Sequence, residues 1–477
     1  LFRSDIFKIR PQLILMTPTL AAVLVYLLIQ FGIGVWISRR IKNEADYLVA
    51  GRSLGPLLAT FSIFATWFGA ETMVGSSGMA YRDGLTLANA EPFGYGLCLI
   101  LGGLIFAVPL WRRQLTTLAD LYRQRYSVTV ERVAAVILIP GSILWSAAQI
   151  RAFGHVLATS ASALEVNTAI AIAAGLTIGY TMFGGLLADA VTDLMQGLLL
   201  VVGLVIVLVT AVGMLGGVGE AVSAVSESGR VSLGVGQGVS LLDTMEEWAI
   251  PVLGSLLTTE IVGRIIATRS AEVAKRASVV AGFLYISIGL IPVFIGVVGY
   301  RLIPGIDDPE QLMAVVARTA LPTVGYAIFA GALTSAILST VNSTLLIASG
   351  LMSHNLLIPT LGVTQERTKV VLARGGVGLF GVIAYVLALR SEGVFALVEQ
   401  ASAFGSAGAL VTITFGLFTT FGGAAAGLVT LVVSILVYLV ASFVGLAHPF
   451  LLSLTSALLC YVVVGTFERV FSAGRGA

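Results

Sequence analysis

Five ionisable side chains stand inside stretches that are otherwise almost wholly apolar: Glu71, Arg151, Asp193, Glu260 and Glu399, with Asp189 shortly before Asp193. A charge in hydrocarbon is costly, so such groups face a cavity or a partner. Any one of them reads equally as half of an ion pair; as a group they point to a polar path. Ser339, Thr340, Asn342 and Ser343 cluster within about one helical turn of FAGALTSAILSTVNSTLLIASG, residues 329–350. Side-chain oxygens at that spacing are hard donors that suit an alkali cation, and the hydroxyls equally suit back-bonding to the preceding turn. The stretch FSIFATWFGAETMVGSSGMAY, residues 61–81, is rich in small and hydroxyl residues. Such a helix either packs closely on a neighbour or opens and turns its carbonyls into a cavity. Asp193, in GGLLADAVTDLMQ (184–196), reads as a helix N-cap, as a cation ligand, or as both. The three histidines, His155, His354 and His448, are far apart, and HExxH, GxSxG and phosphate-loop patterns do not occur. Enzymatic chemistry is therefore not expected.

The elements that must position these groups follow from composition. Of 477 residues, 57% are hydrophobic and 11% charged, against about 25% charged in a soluble domain. Too few charges remain to solvate an exterior in water, so lipid must surround the chain. The 54 glycines suit close helix packing in that solvent. Cys98 and Cys460 sit in apolar runs and read as core filler. The net charge of +2, without a basic run, excludes a nucleic-acid partner. With about 20 residues needed per crossing, about thirteen spans are expected, all helical. They fall near 18–38, 54–81, 91–110, 130–160, 167–184, 191–214, 247–265, 275–302, 322–353, 369–390, 394–418, 421–446 and 447–468. Loops around 39–52, 112–132, 264–276, 367–374 and 469–475 hold 18 Lys and Arg, and the opposite side holds 8. Arg264 is counted among the loop charges, which leaves Arg151 as the basic residue inside a span. The positive-inside rule then puts the N-terminus outside and the C-terminus in the cytoplasm, with the chain multi-pass in the cell membrane. Residues 1–15, ahead of Met16, read as an upstream extension or a cloning remnant.

Four stretches together resemble the sodium:solute symporter family, which holds sodium–glucose, proline, sialic acid and choline transporters. They are DYLVAGRSLG (46–55), TLADLYRQRY (117–126), YTMFGGLLADAVTD (180–193) and TSAILSTVNSTLLIASG (334–350). The likeness runs from about 18 to 468. It implies a LeuT-type fold in which two inverted five-helix repeats cover spans two to six and seven to eleven. The first and sixth core helices, spans two and seven, would be broken at the midplane. The implied divisions are a peripheral first helix and cytoplasmic loop over 16–53, a first core repeat over 54–214 and an extracellular loop over 215–246. A second core repeat over 247–420 and peripheral helices over 421–477 follow.

The resemblance also implies sodium as the coupling ion, no other cofactor, and a small organic solute carried by alternating access. Oligomeric state is left open. The shared sodium site would use the carbonyls of Ala65, Phe68 and Ala336 and the hydroxyls of Ser339 and Thr340. A second sodium site, carried by some members, maps to Asp193, Ser339, Asn342 and Ser343, with Asn342 where those members have a hydroxyl. ATWFGAE (65–71), EPFGYGLCLILGGLIFAVP (91–109) and ILWSAAQ (143–149) are similar to the choline-transporter branch. Trp67, Tyr95 and Trp145 match three walls of that branch's aromatic box for a quaternary ammonium. Thr258 falls where the branch has a further Trp, and Arg151 replaces a small polar residue. Glu71 and Glu260 add carboxylates near the two breaks, placed to neutralise Arg151, to receive a cationic substrate, or to take up a proton. A choline-like cation or zwitterion is the expected solute class. A small carboxylate held by Arg151, or a transporter-like sensor without net flux, is the alternative.

Overall fold

Hydrocarbon offers the backbone no hydrogen-bond partner, so a spanning segment must satisfy its own amides as a helix. The computed structural model describes residues 18–473 except 70, 88, 161–163, 233, 235–238, 307 and 392. Residues 1–15, read above as an extension or remnant, lie outside the described residues. The helices that frame the site are α1 (Pro18–Ser38), α2 (Pro56–Trp67), α3 (Ser76–Arg82), α4 (Phe93–Arg112), α5 (Val128–Ser160), α6 (Val166–Phe183) and α7 (Gly185–Met214). Then come α8 (Leu241–Ala249), α9 (Thr259–Ile266), α10 (Ala271–Leu302), α11 (Thr323–Gly350) and α12 (Glu366–Arg390). The last are α13 (Val394–Ala403), α14 (Ser406–Phe418), α15 (Ala424–Val444) and α16 (Pro449–Ala473).

Among the described residues eleven helices are long and apolar enough to cross a membrane, and the pair α2 and α3, bent by 54°, makes a twelfth span. The first expected span, 18–38, coincides with α1.

Both expected breaks are present. Proline at the first position of α2 supplies a preset φ there. That helix stops at Trp67, and Phe68 leaves helical geometry with φ −86° and ψ 70°. In the other span, α8 runs on as a wide turn over Ile250–Gly254, and α9 restarts only after Thr258, at φ −64° and ψ 152°. The entry to α2 and the exit of α9 are tied: the Leu54 amide donates to Ala267 at 3.1 Å, and Arg269 donates to Leu54 at 3.0 Å. Around these breaks α10 packs on α2, and α11 packs along α5 and the α6–α7 pair. α4 and α10 approach so closely that a Cβ at Gly282 would lie 2.7 Å from the Gly96 carbonyl.

α6 and α7 meet at Gly185, whose φ of +65° and ψ of 174° suit glycine alone. The helix therefore starts earlier than 191, and Asp193 lies more than two turns inside it. The N-cap reading of Asp193 is corrected on that ground: its first-turn amides belong elsewhere. A Cβ at Gly185 would also meet Tyr47 Cδ2 at 2.9 Å. Gly185→Ala is expected to cost about 1–3 kcal/mol, read as a lowered midpoint of thermal unfolding in detergent.

Candidate functional site

A helix that ends inside the bilayer leaves its last carbonyls without intrahelical partners. α2 ends in this way against the middle of α11. The Thr340 hydroxyl lies 3.3 Å from the Ala65 carbonyl, 3.4 Å from that of Thr66 and 3.2 Å from that of Ala336. One hydroxyl proton can serve one of these at a time, so further lone pairs converge on the same point. Ser339, the preceding residue, donates to the Asp193 carboxylate, which also accepts from Ser62 at 2.6 Å. Phe68 is fully buried at the end of α2. Ala65, Ala336 and Thr340 are thus brought together, with Phe68 at the adjoining helix end, while the Ser339 hydroxyl beside them faces Asp193. Among the described residues no three His, Cys, Asp or Glu side chains gather as metal ligands; the cradle is built of neutral oxygens.

The residues of the expected second sodium site also meet, but a guanidinium stands among them. Arg264 is on α9 with 0% exposure, not in a cytoplasmic loop. It donates to Asp189 and to Ser343, and its Nη2 lies 3.9 Å from the Asp193 carboxylate. Asn342 Nδ2 donates to Asp189 at 2.5 Å, and Ser343 donates to it at 2.6 Å. Arg151 is therefore not the one basic residue within a span. The signal was present, because the expected span 247–265 already contained residue 264.

The three expected aromatic walls converge. The rings of Trp67 and Trp145 lie 5.4 Å apart, and those of Tyr95 and Trp145 6.4 Å apart. Tyr285, on α10, adds a wall that sequence reasoning missed: it lies 6.3 Å from Tyr95 and 5.5 Å from Phe68. A tyrosine in an apolar run is common core filling, so nothing in its own stretch marked it. Its hydroxyl reaches Thr72 at 2.5 Å and the buried Glu91 at 3.4 Å. Tyr95 bonds Ser402 at 3.1 Å. Beside Trp145 a cavity of about 30 Å³ is lined by Ser142, Thr258 and Glu260. Another of about 30 Å³ is lined by Tyr95, Glu91, Glu247 and Glu399. Each has room for a water molecule or two, so the chamber is closed on itself and the rings must part to admit an organic solute. A cavity of about 800 Å³ lies among Arg125, Phe421, Glu468 and Arg469 and shares no residue with the chamber.

Arg151 does not join this chamber's acids. It donates to the Ala388 carbonyl on α12 at 3.1 Å. Six residues past Trp145, it is rotated by roughly 240° around α5. Glu71 instead accepts from Gln149 at 2.7 Å, and Glu260 accepts from Ser142 and from Thr259 at 3.1 Å. Of the three roles offered for Glu71 and Glu260, neutralising Arg151 is corrected accordingly: amide and hydroxyl donors satisfy both carboxylates.

At the end of α11 a second polar cluster joins four segments. His354 lies 3.0 Å from Glu44 and 3.2 Å from Asp120, and Asn355 donates to Asp120 at 2.9 Å and to Glu131 at 2.8 Å. Burial raises the Asp120 carboxyl, but the His354 ring and the Thr116 and Thr117 amides outweigh it and hold it below the ordinary carboxylate range.

A model of the sodium:solute symporter family matches residues 47–433. The chain is 27% identical over 402 residues to the high affinity choline transporter 1 of Homo sapiens, covering 79% of this chain and 69% of that one. It is 26% identical over 498 residues to the sodium/glucose cotransporter of Vibrio parahaemolyticus, covering 94% and 89%. A solved Na+-coupled sialic acid symporter, substrate-bound and outward-open, matches with a TM-score of 0.82 at 19% identity, covering 94% of this chain and 97% of that one. A nucleobase-cation-symport-1 family transporter in a closed conformation with bromovinylhydantoin bound matches at 0.56 and 15% identity, covering 89% and 95%.

Proposed function

The chain belongs to the sodium:solute symporter family and has the LeuT-type fold of a multi-pass membrane protein, and from that premise we propose that it imports a choline-like cation or zwitterion on the sodium gradient by alternating access. The family and the similar relatives are transporters rather than enzymes, and the family implies sodium and a small molecule as its partners.

The observation that carries the substrate class is the ring cluster of Trp67, Tyr95, Trp145 and Tyr285, with Glu91 within 3.4 Å of the Tyr285 hydroxyl. Aromatic faces attract a methylated ammonium with about 2 kcal/mol or more when water is excluded, and buried carboxylates supply its counter-charge. The similarity to choline transporters favours the same class. Thr258 and Glu260 would line the solute's inner side, and Glu71 would stand beside the first break. Repeats over 54–214 and 247–420 would rock around this point. With Arg264 removed from the loop charges the balance is 17 against 8, which keeps the orientation with the C-terminus in the cytoplasm.

Sodium would sit among the Ala65, Phe68 and Ala336 carbonyls and the Ser339 and Thr340 hydroxyls. Thr340 would turn its proton away and present a lone pair. By bridging α2 and α11 the ion would favour the outward-open state, and substrate would then bind at the midplane. Release of both to the inside would need the cluster around His354 to open.

Trp145→Ala is expected to weaken binding of choline-like compounds by about thirtyfold, the equivalent of about 2 kcal/mol. Ligand-dependent thermal shifts measure it. If choline-like compounds leave the melting temperature unchanged while monocarboxylates raise it, the aromatic reading fails and a carboxylate solute takes its place. Sodium-driven accumulation in proteoliposomes separates a transporter from a sensor, which would bind solute without flux.

A further inference from the structure

Every buried charge in a membrane protein needs a partner, so the ions between α7, α9 and α11 can be balanced against one another. Asp189 and Asp193 stand about one turn apart on α7, both fully buried. α9 brings one cation to them, Arg264, also fully buried. It donates to Asp189 and Ser343 and lies 3.9 Å from Asp193. Asn342 and Ser343 satisfy Asp189 further, and Ser62 and Ser339 satisfy Asp193. Two carboxylates facing one guanidinium leave one negative charge over. The surplus belongs with Asp193, since Asp189 holds the direct bond to Arg264.

We propose that Arg264 is a tethered cation occupying the place of a second coupling ion, and that the surplus charge of Asp193 is the counter-charge for a single sodium ion. The proposal rests on the symporter reading. Asp193, Ser339, Asn342 and Ser343 offer the carboxylate, hydroxyl and amide oxygens of a cation site, and the guanidinium is among them. A cation fixed to the chain supplies the charge without being able to leave, so it contributes to the fold and not to the coupling. Its fit is incomplete. Nε and Nη1 of Arg264, and Oδ1 of Asn342, are buried with no hydrogen-bond partner among the described residues. A guanidinium offers five donors, and a site built around an arginine would use more of them.

Ser339 links the two sites. Its proton goes to Asp193, so its lone pairs are left free for an ion, one residue before Thr340, whose hydroxyl lies against the Ala65 and Ala336 carbonyls. Asp193 is thereby a positioning residue for a sodium ligand, although it does not itself reach the cradle's carbonyls.

Sodium chloride alone serves as the probe. Radioactive sodium bound per chain is measured at equilibrium on the full-length protein in detergent, with N-methylglucamine replacing sodium in the controls. Wild type is expected to bind one ion and Arg264→Ala two. Asp193→Asn is expected to bind its ion about tenfold or more weakly. Wild type binding two ions overturns the tethered cation and leaves the symporter reading standing. Wild type binding none overturns the symporter reading itself. Arg264→Ala that folds and still binds one ion also overturns the proposal. If that variant does not fold, the wild-type count decides.

Discussion

Thr340→Ala and Ser339→Ala are each expected to raise the sodium concentration for half-maximal uptake by about ten- to a hundredfold. A hydrogen bond or dipolar contact to a charged group contributes about 1.5–3 kcal/mol, and each 1.4 kcal/mol is tenfold. The Thr340 hydroxyl stands within 3.4 Å of three carbonyls on two helices, so its loss would remove a proposed sodium ligand and an interhelical contact together. Ser339→Ala would remove a proposed sodium ligand and also one of the donors that hold Asp193. Thr340→Ser keeps the oxygen and should stay near wild type, which separates ligation from packing. Uptake with unchanged sodium activation in both alanine variants would defeat the site assignment.

Asp189→Ala is expected to be the most destabilising single change in the core. Removing one partner of a buried ion pair costs about 3–5 kcal/mol, because the remaining charge is left unpaired in a low-dielectric interior. Arg264 would lose its direct carboxylate, with Asp193 left at 3.9 Å. Combining Asp189→Ala with Arg264→Met should recover part of the loss, since apolar side chains of similar volume often replace a buried pair at little cost. The midpoint of thermal unfolding in detergent measures both. A single variant as stable as wild type would show that the pair contributes nothing.

Much of this architecture was legible from the chain. Spans from 91 onward overlap the helices observed, with starts displaced by up to six residues at Gly185 and Leu241, because apolar length is set by bilayer thickness. The breaks at Phe68 and at Ser255–Thr258 fall where small and hydroxyl residues interrupt the apolar run. The Thr340 cradle was legible through resemblance, since Ala65 and Ala336 contribute backbone oxygen and any side chain supplies that atom. Asp193 was misread as a candidate cap because the apolar run begins after it, whereas the helix begins at the Gly185 turn. Arg264 was misread as a loop charge because it lies near the end of a span. Tyr285 and Glu91 were missed because each is ordinary within its own stretch and acquires meaning only opposite the other.

The residues by themselves determined that helices in lipid form this protein, since apolar runs leave the backbone no other way to satisfy its amides. They also marked two of those helices, over 61–81 and 329–350, as rich in small and hydroxyl residues; the structure breaks the first and leaves the second continuous. The tertiary structure decided which polar groups pair. Arg151 turns to α12 and Arg264 turns inward to Asp189, although both read as buried or near-buried charges in one dimension. The difference comes from rotation about the helix axis and from which helix is adjacent, and contact across helices is not written in the order of residues along any one of them.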